Sequence, residues 1–287
     1  MKIAITGAGG LVGACLAQEL ATTHEVDALK RAALDITDRQ AVMRWGDAAR
    51  PDLIINCAVA QVDPCERDPQ MAAAINTLGP QYLAEAAAEI GAEVMHFSTN
   101  YVFDGNRTDS APYTVEDETH PINVYGRSKL EGERAVMEAN SRSYIIRTAW
   151  VYGLGKESFL ASVPRKLRKR ERVEAIIDIY STTTYVRDLA ARTVEIMARG
   201  HHGIYHVANE GTCSYYEFAA EAARLVGLTE TEAGELIVKR KESEMNRPAR
   251  RPVWTPLRCL LSAELGLPTL RDWRSALADY THTDLKE

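Results

Sequence analysis

No run of apolar residues in this chain is long enough to cross a bilayer, and neither an internal repeat nor a low-complexity segment is present. No membrane-spanning helix is therefore expected, and no repeat array. Cysteine is sparse: Cys15, Cys57, Cys65, Cys213 and Cys259 are odd in number and lack metal-ligand spacing, so reduced thiols are expected rather than a disulfide framework or a zinc site. Of the seven histidines, His202 and His206 stand four apart, but in a β-prone run rather than on a helix, so His201, His202 and His206 are read as structural and no metal is predicted. Positive charge is in deficit, and a net charge of −6 argues against nucleic acid as a partner. The basic run Arg165-Lys166-Leu167-Arg168-Lys169-Arg170 is short and reads as a solvated helix face. The first residues enter a β-prone run at once, leaving no room for a signal peptide, so we expect a soluble, cytoplasmic protein without membrane partners.

What the chain does have is apolar content and order. Its 287 residues, 46% of them hydrophobic, suffice for a full core. Lys2-Ile3-Ala4-Ile5-Thr6 reads as a strand, and an amphipathic stretch through Leu16 and Leu20 reads as a helix. Between them lies Gly7-Ala8-Gly9-Gly10-Leu11-Val12-Gly13. In a strand–turn–helix unit Gly7 makes the tight turn, Gly10 lets the backbone approach a pyrophosphate, and Gly13 lets helix and strand pack closely, with Gly9 as a further permissive position. The phosphates then sit at the helix N-terminus, against Leu11 and Val12, where unpaired N–H groups and the helix dipole favour negative charge. Further strands are expected at Glu25 to Leu29, Leu53 to Cys57, Glu93 to Ser98, Ser143 to Thr148 and Ile204 to Ala208. Helices are expected at Pro69 to Glu89, with a kink at Gly79-Pro80, and at Asn123 to Ala139. This alternation predicts an α/β fold, a doubly wound parallel sheet of Rossmann type with a smaller C-terminal substrate-binding lobe. We place the dinucleotide-binding core at 1–152 and the lobe mainly at 153–287, with elements returning to the core sheet.

Tyr125-Gly-Arg-Ser-Lys129 puts a phenol and an ammonium one helical turn apart on one face. A free tyrosine, with pKa near ~10, stays protonated at neutral pH. A nearby lysine cation stabilises the phenolate and makes the phenol a usable proton donor or acceptor. Ser98-Thr99 follows a buried strand, and in a parallel sheet ligands bind beyond the carboxyl ends of the strands. Thr99 is thus placed to hydrogen-bond the reacting oxygen while Tyr125 delivers the proton. Leu29, the last residue of the second strand, is followed by Lys30-Arg31 instead of the acid that binds a ribose 2′-hydroxyl. Two cations there suit a 2′-phosphate, Arg31 in bidentate fashion, so NADPH is favoured over NADH, with Asp35 and Ile36 flanking the adenine.

The glycine spacing, together with Tyr125 and Lys129, resembles the extended short-chain dehydrogenase/reductase superfamily. The stretches Arg50-Pro51-Asp52, Ser98-Thr99-Asn100-Tyr101-Val102-Phe103-Asp104-Gly105, Pro121 through Glu133 and Arg147-Thr148-Ala149-Trp150-Val151-Tyr152-Gly153 narrow this to a resemblance to the dTDP-4-dehydrorhamnose reductase family. The resemblance implies reduction of the C4 ketone of dTDP-4-dehydro-L-rhamnose by a nicotinamide cofactor. It makes Thr99, Tyr125 and Lys129 catalytic, with Lys129 also binding the nicotinamide ribose. It gives Cys57, Ala58, Val59 and Ser98 to the cofactor, and Val62, Thr99, Asn100, Tyr101 and Trp150 to the sugar. Some dimeric members hold magnesium between subunits through acids, one of them two places after the third glycine; that place here is Cys15, a poor ligand for a hard cation. A monomer or weak dimer is expected.

Several positions depart from the family pattern. Asn100 stands where an aspartate is usual, the loop from Asn56 to Asp63 is one residue shorter, Ile179 to Thr184 replaces a glycine- and proline-containing segment, and Trp254 falls where an asparagine is common. A 4,6-dehydratase of the superfamily needs carboxylates that Asn100 and Tyr101 replace. A 4-epimerase uses the same Tyr–Lys pair. A non-catalytic dinucleotide-binding subunit, resembling the regulatory subunit of methionine adenosyltransferase, is the alternative from a different class.

Overall fold

The computed structural model describes residues 1–155 and 157–285. Five strands, β1 (Lys2–Thr6), β2 (Glu25–Leu29), β3 (Leu53–Asn56), β4 (Glu93–Thr99) and β5 (Ser143–Thr148), and a sixth at Gly203–His206 form one sheet. Its order, from the Gly203–His206 edge, is sixth strand, β5, β4, β3, β1, β2, and every pairing is parallel. The doubly wound fold read from the alternation is the fold observed.

Inner strands of such a sheet are covered on both faces, which is why β3 is apolar almost without interruption and wholly buried. Alternate residues divide between the faces. Ile3, Ile5, Leu53, Ile55, Met95 and Ile146 pack with Leu16 and Leu20 of helix α1 (Leu11–Leu20) and with Leu189 and Ile196 of the helix Val186–Arg199. Ala4, Ile54, Val94 and Ile145 point the other way, onto helices α2 (Arg39–Ala49), α5 (Gly79–Glu89) and α6 (Val124–Ala139), through Val42, Leu83 and Val136. The outer strand β2 is the exception, with Glu25 and Asp27 exposed. Acids on an open edge oppose pairing with another chain.

Between β3 and α5 lie the short helices α3 (Val62–Arg67) and α4 (Pro69–Ala73), then a π-helical turn over Ala74–Leu78. The predicted helix Pro69 to Glu89 is thus continuous, and the disturbance falls one turn before Gly79-Pro80. Just beyond it, Pro80 has no N–H to offer the Asn76 carbonyl in α-helical register. The Gly79 N–H reaches Ala74 O instead, a five-residue step.

The remaining elements make a second core. Leu160, Val163, Phe218, Trp273, Leu277 and Tyr280 cluster between the helices Phe159–Arg168, Tyr215–Leu225 and Trp273–Asp279. A small sheet orders Cys213–Ser214, Tyr180–Ser181 and Trp254–Thr255. The basic run closes the helix Phe159–Arg168, where cations complement the carbonyl end of the dipole. Its five cations are exposed, as a solvated face requires, and two of them also bond: Arg168 donates to Leu285 O at 2.7 Å and Thr281 O at 3.2 Å, and Arg170 pairs with Glu232 at 2.5 Å.

Candidate active site

Strand order reverses between β1 and β3, and the loops that follow these two strands open a crevice there, as open α/β sheets do. Gly7 adopts φ +69°, and a Cβ on it would lie 2.5 Å from Ala58 N. A Cβ on Gly13 would lie 2.6 Å from Gly7 O, so helix and strand meet only because it is absent. Gly10 caps α1 without any side chain, leaving first-turn N–H groups facing the crevice for an anion. A cavity of about 360 Å³ is lined here by Gly7, Gly9, Gly10, Lys30, Arg31, Asp35, Ile36, Cys57, Ala58 and Val59. Arg31 is largely exposed and pairs with Asp35 at 3.2 Å. The other Asp35 oxygen accepts from Thr37 N and Thr37 Oγ1 at 3.0 and 2.8 Å, and these Thr37 bonds hold the carboxyl below its usual range.

A second cavity, of about 390 Å³, shares Gly10, Cys57 and Val59 with the first. It brings together Leu11, Val12, Gly13, Val62, Ser98, Thr99, Asn100, Tyr101, Tyr125, Lys129 and Trp150. Helix α6 starts at this wall because Asn123 caps it, accepting from Gly126 N at 2.8 Å, while its amide donates to Arg250 O at 2.8 Å. Gly126 lets the first turn pass Tyr101, whose carbonyl would be 2.2 Å from a Cβ. The Tyr125 phenol and the Thr99 hydroxyl line the same cavity; burial raises the phenol's pKa and Thr99 partly offsets the rise. Tyr101 meets Tyr125 edge to face at 5.8 Å. Lys129 is buried and turned toward β4, with Nζ 2.6 Å from Phe97 O and 3.0 Å from His96 Nε2, and burial lowers its pKa to about 8. Phenol and amine share the cavity, and burial is the largest influence on the phenol. Ser98 lines the cavity while its hydroxyl donates to Glu133, which also holds Arg147 at 2.7 Å.

Residues 1–285 match the family model described as the RmlD substrate binding domain. The chain belongs to the RmlD family. A dTDP-4-dehydrorhamnose reductase of Mycolicibacterium smegmatis is 42% identical over 282 residues, 97% of this chain and 84% of that protein. A crystal structure of a dTDP-4-dehydrorhamnose reductase from Clostridium acetobutylicum superposes with a TM-score of 0.90 at 35% identity, covering 98% of both chains. That of a Bacillus anthracis dTDP-4-dehydrorhamnose reductase in complex with NADP superposes with a TM-score of 0.91 at 30% identity, covering 97% of this chain and 98% of that one. The family resemblance of the motifs is borne out over the whole chain.

Against the RmlD pattern, the departures acquire structural reasons. Asn100 uses its NH₂ to donate to Thr255 Oγ1 at 2.8 Å, Ser181 Oγ at 3.0 Å and Thr255 O at 3.3 Å, while Thr99 Oγ1 lies 3.3 Å from its oxygen. An ionised aspartate has no hydrogen for such bonds, so the amide suits a corner that must hold the small sheet. Ser181 belongs to the altered segment Ile179 to Thr184, so the two departures are in contact. Trp254 donates to Ala111 O at 2.9 Å and packs by Tyr180, outside both cavities.

The sequence reading overlooked several residues packed around this RmlD site. Tyr215 is one, with Trp150, at φ +42°, stacked on it at 3.8 Å. The charges of Arg247 and Arg251 lower the pKa values of Tyr101 and Tyr215 against the larger effect of burial. Arg251 also grips Asp63 with two bonds of 2.8 Å. Asn76, in the π turn, accepts from Ala60 N at 2.8 Å and donates to Ser128 Oγ at 3.0 Å, tying the loop after β3 to α6. His96 and Asn56 complete the support of Lys129. Only the polar residues ending the apolar strands β3 and β4 could have signalled the last pair.

Proposed function

We propose that this RmlD protein reduces the C4 ketone of dTDP-4-dehydro-L-rhamnose to dTDP-L-rhamnose with NADPH. The observation that carries this reading is the gathering of Thr99, Tyr125 and Lys129 in one cavity continuous with the glycine crevice. The crevice fits a dinucleotide, since the Gly7 and Gly13 contacts leave no room for side chains and the α1 N-terminus is uncapped by any. Lys30 and Arg31 stand where a 2′-phosphate would be read. NADPH, when bound, supplies the hydride for C4.

The chain's own residues supply the rest. Tyr125 gives its proton to the C4 oxygen, and Thr99 fixes the phenol and the oxygen at one point. A phenol kept protonated by burial is the form a reduction needs. Tyr101, Trp150 and Val62 offer apolar surface to the C–H side of a sugar and to its 6-deoxy methyl. We expect the protein to work as a monomer or weak dimer in the cytoplasm.

The test is loss of reduced-nicotinamide absorbance with dTDP-4-dehydro-L-rhamnose and with its C3 and C5 epimers. Tyr125→Phe should lower kcat by ~10²–10⁴-fold while NADPH still binds. Equal rates on all sugars, or a variant as fast as the wild type, would overturn the assignment.

A further inference from the structure

Thr6, Asn56 and His96 are register partners on β1, β3 and β4, each two residues past an apolar row formed by Ala4, Ile54 and Val94 on the face that α6 covers. None of the three is more than 1% exposed. Lys129 reaches the end of this polar row because Gly132, one turn further along α6, brings the helix close: a Cβ there would lie 2.1 Å from Asn76 O and 3.6 Å from His96 Nε2.

The direction of every hydrogen in the row follows from one backbone group. The Ala58 N–H can only donate, and it lies 3.0 Å from Asn56 Oδ1, which also accepts from Thr6 Oγ1 at 2.7 Å. The Asn56 oxygen is thereby fixed, and its NH₂ faces His96 Nδ1 at 3.0 Å. A nitrogen that accepts carries no hydrogen, so the neutral imidazole has its hydrogen on Nε2, 3.0 Å from Lys129 Nζ. An N–H aimed at Nζ finds a lone pair only on the uncharged amine, which can still donate to Phe97 O at 2.6 Å. An ammonium there would set two donors against each other.

We propose that His96 is a positioning residue: held by Asn56 as the Nε2–H tautomer, it takes the lone pair of Lys129 and favours the neutral amine over the ammonium. The titratable groups around Lys129 agree. Cys57 after β3 and Cys65 on α3 are thiols pushed up by burial, Tyr125 is a phenol pushed up by burial, and His96 is kept neutral by burial. Glu133, the one carboxylate acting on Lys129, is bonded to Arg147 and Ser98. Resting on the reductase reading, the consequence is a reaction rate that follows the protonation of Lys129, which lines the same cavity as Tyr125.

The test uses the whole protein with ¹⁵N-histidine and ¹³C-lysine labels. Nitrogen shifts of His96 report which ring atom carries the hydrogen, and the Lys129 Cε shift reports its titration. The wild type should show Nε2–H, with Lys129 titrating at or below about 8, well under the ~10.4 of a free lysine. Asn56→Asp places an acceptor at Nδ1, so it should switch the imidazole to Nδ1–H and raise the Lys129 midpoint by about one pH unit or more, tenfold in acid constant. The pH profile of kcat/KM should move with it. Hydrogen on Nδ1 in the wild type overturns the proposal and needs no variant to fold. A raised midpoint with the tautomer unchanged also overturns it, since the aspartate charge alone would then account for the shift. The expected shifts in a protein that turns over no keto-sugar would leave this inference standing and remove the reductase reading.

Discussion

The crevice for the dinucleotide and the cavity for the sugar share a wall but are built by opposite means. The first is made largely of backbone: Gly7 and Gly13 permit contacts no side chain could, and both lie within seven residues of one another in sequence. The second is made of side chains gathered from afar. Asn100 alone joins segments 81 and 155 residues away, and Trp150 rests on Tyr215. A site built on glycines tolerates almost no change at a few positions. A site built on side chains can be retuned one residue at a time, and two departures from the RmlD pattern, Asn100 and the segment holding Ser181, meet on that side.

This contrast can be broken by substitution. Gly7→Val is the most severe case, because φ +69° and the 2.5 Å approach to Ala58 N both oppose it. Strain and overpacking of about 2–4 kcal/mol should weaken NADPH binding by ~30- to 1000-fold, measured by cofactor fluorescence. The near-ultraviolet signal of Trp273 and Tyr280 in the other core should stay unchanged, and its collapse would show that the two regions are not separable. Asn100→Asp should act in reverse. It removes the donors to Ser181 and Thr255, at a cost of about 1–3 kcal/mol. The KM for sugar should rise about tenfold with NADPH affinity unaltered, and equal losses of both would erase the distinction. Arg31→Ala sharpens it. The side chain is 80% exposed, so its contact with a 2′-phosphate is worth about 1 kcal/mol, and the preference for NADPH over NADH should fall about fivefold in kcat/KM.

How much could be read beforehand follows the same division. Glu25–Leu29 and Ser143–Thr148 match their predicted bounds residue for residue, each followed by a change of residue character that ends the strand. Leu53 to Cys57 was one residue too long and Glu93 to Ser98 one too short. Ile204 to Ala208 begins at Gly203 and stops at His206, since strand ends depend on how far the neighbouring strand runs. Every residue assigned to cofactor or sugar lines one of the two cavities, a consequence of loops all leaving the same end of one sheet. The directions of side chains were not legible. Lys129 turns toward His96, Ser98 toward Glu133 and the Asn100 amide toward the small sheet, because each buried polar group takes whatever partner the packing offers. Arg247, Arg251 and Tyr215 lie on segments whose position no local pattern specifies.

The π turn at Ala74–Leu78 behaves as one surplus residue stored inside a helix. Deleting Thr77 would let the chain from Pro69 onward close into regular α geometry, a change that local backbone energetics would welcome. It would also rotate everything on one side of the cut by about a hundred degrees relative to the other. Asn76 would swing off Ala60 and Ser128, and the loop carrying Val59 would lose its tether to the helix of Tyr125 and Lys129. A shortened chain with a more regular helix and a slacker reaction centre is the expected product, so the irregularity acts as a spacer that sets the phase between the cofactor loop and the proton donor.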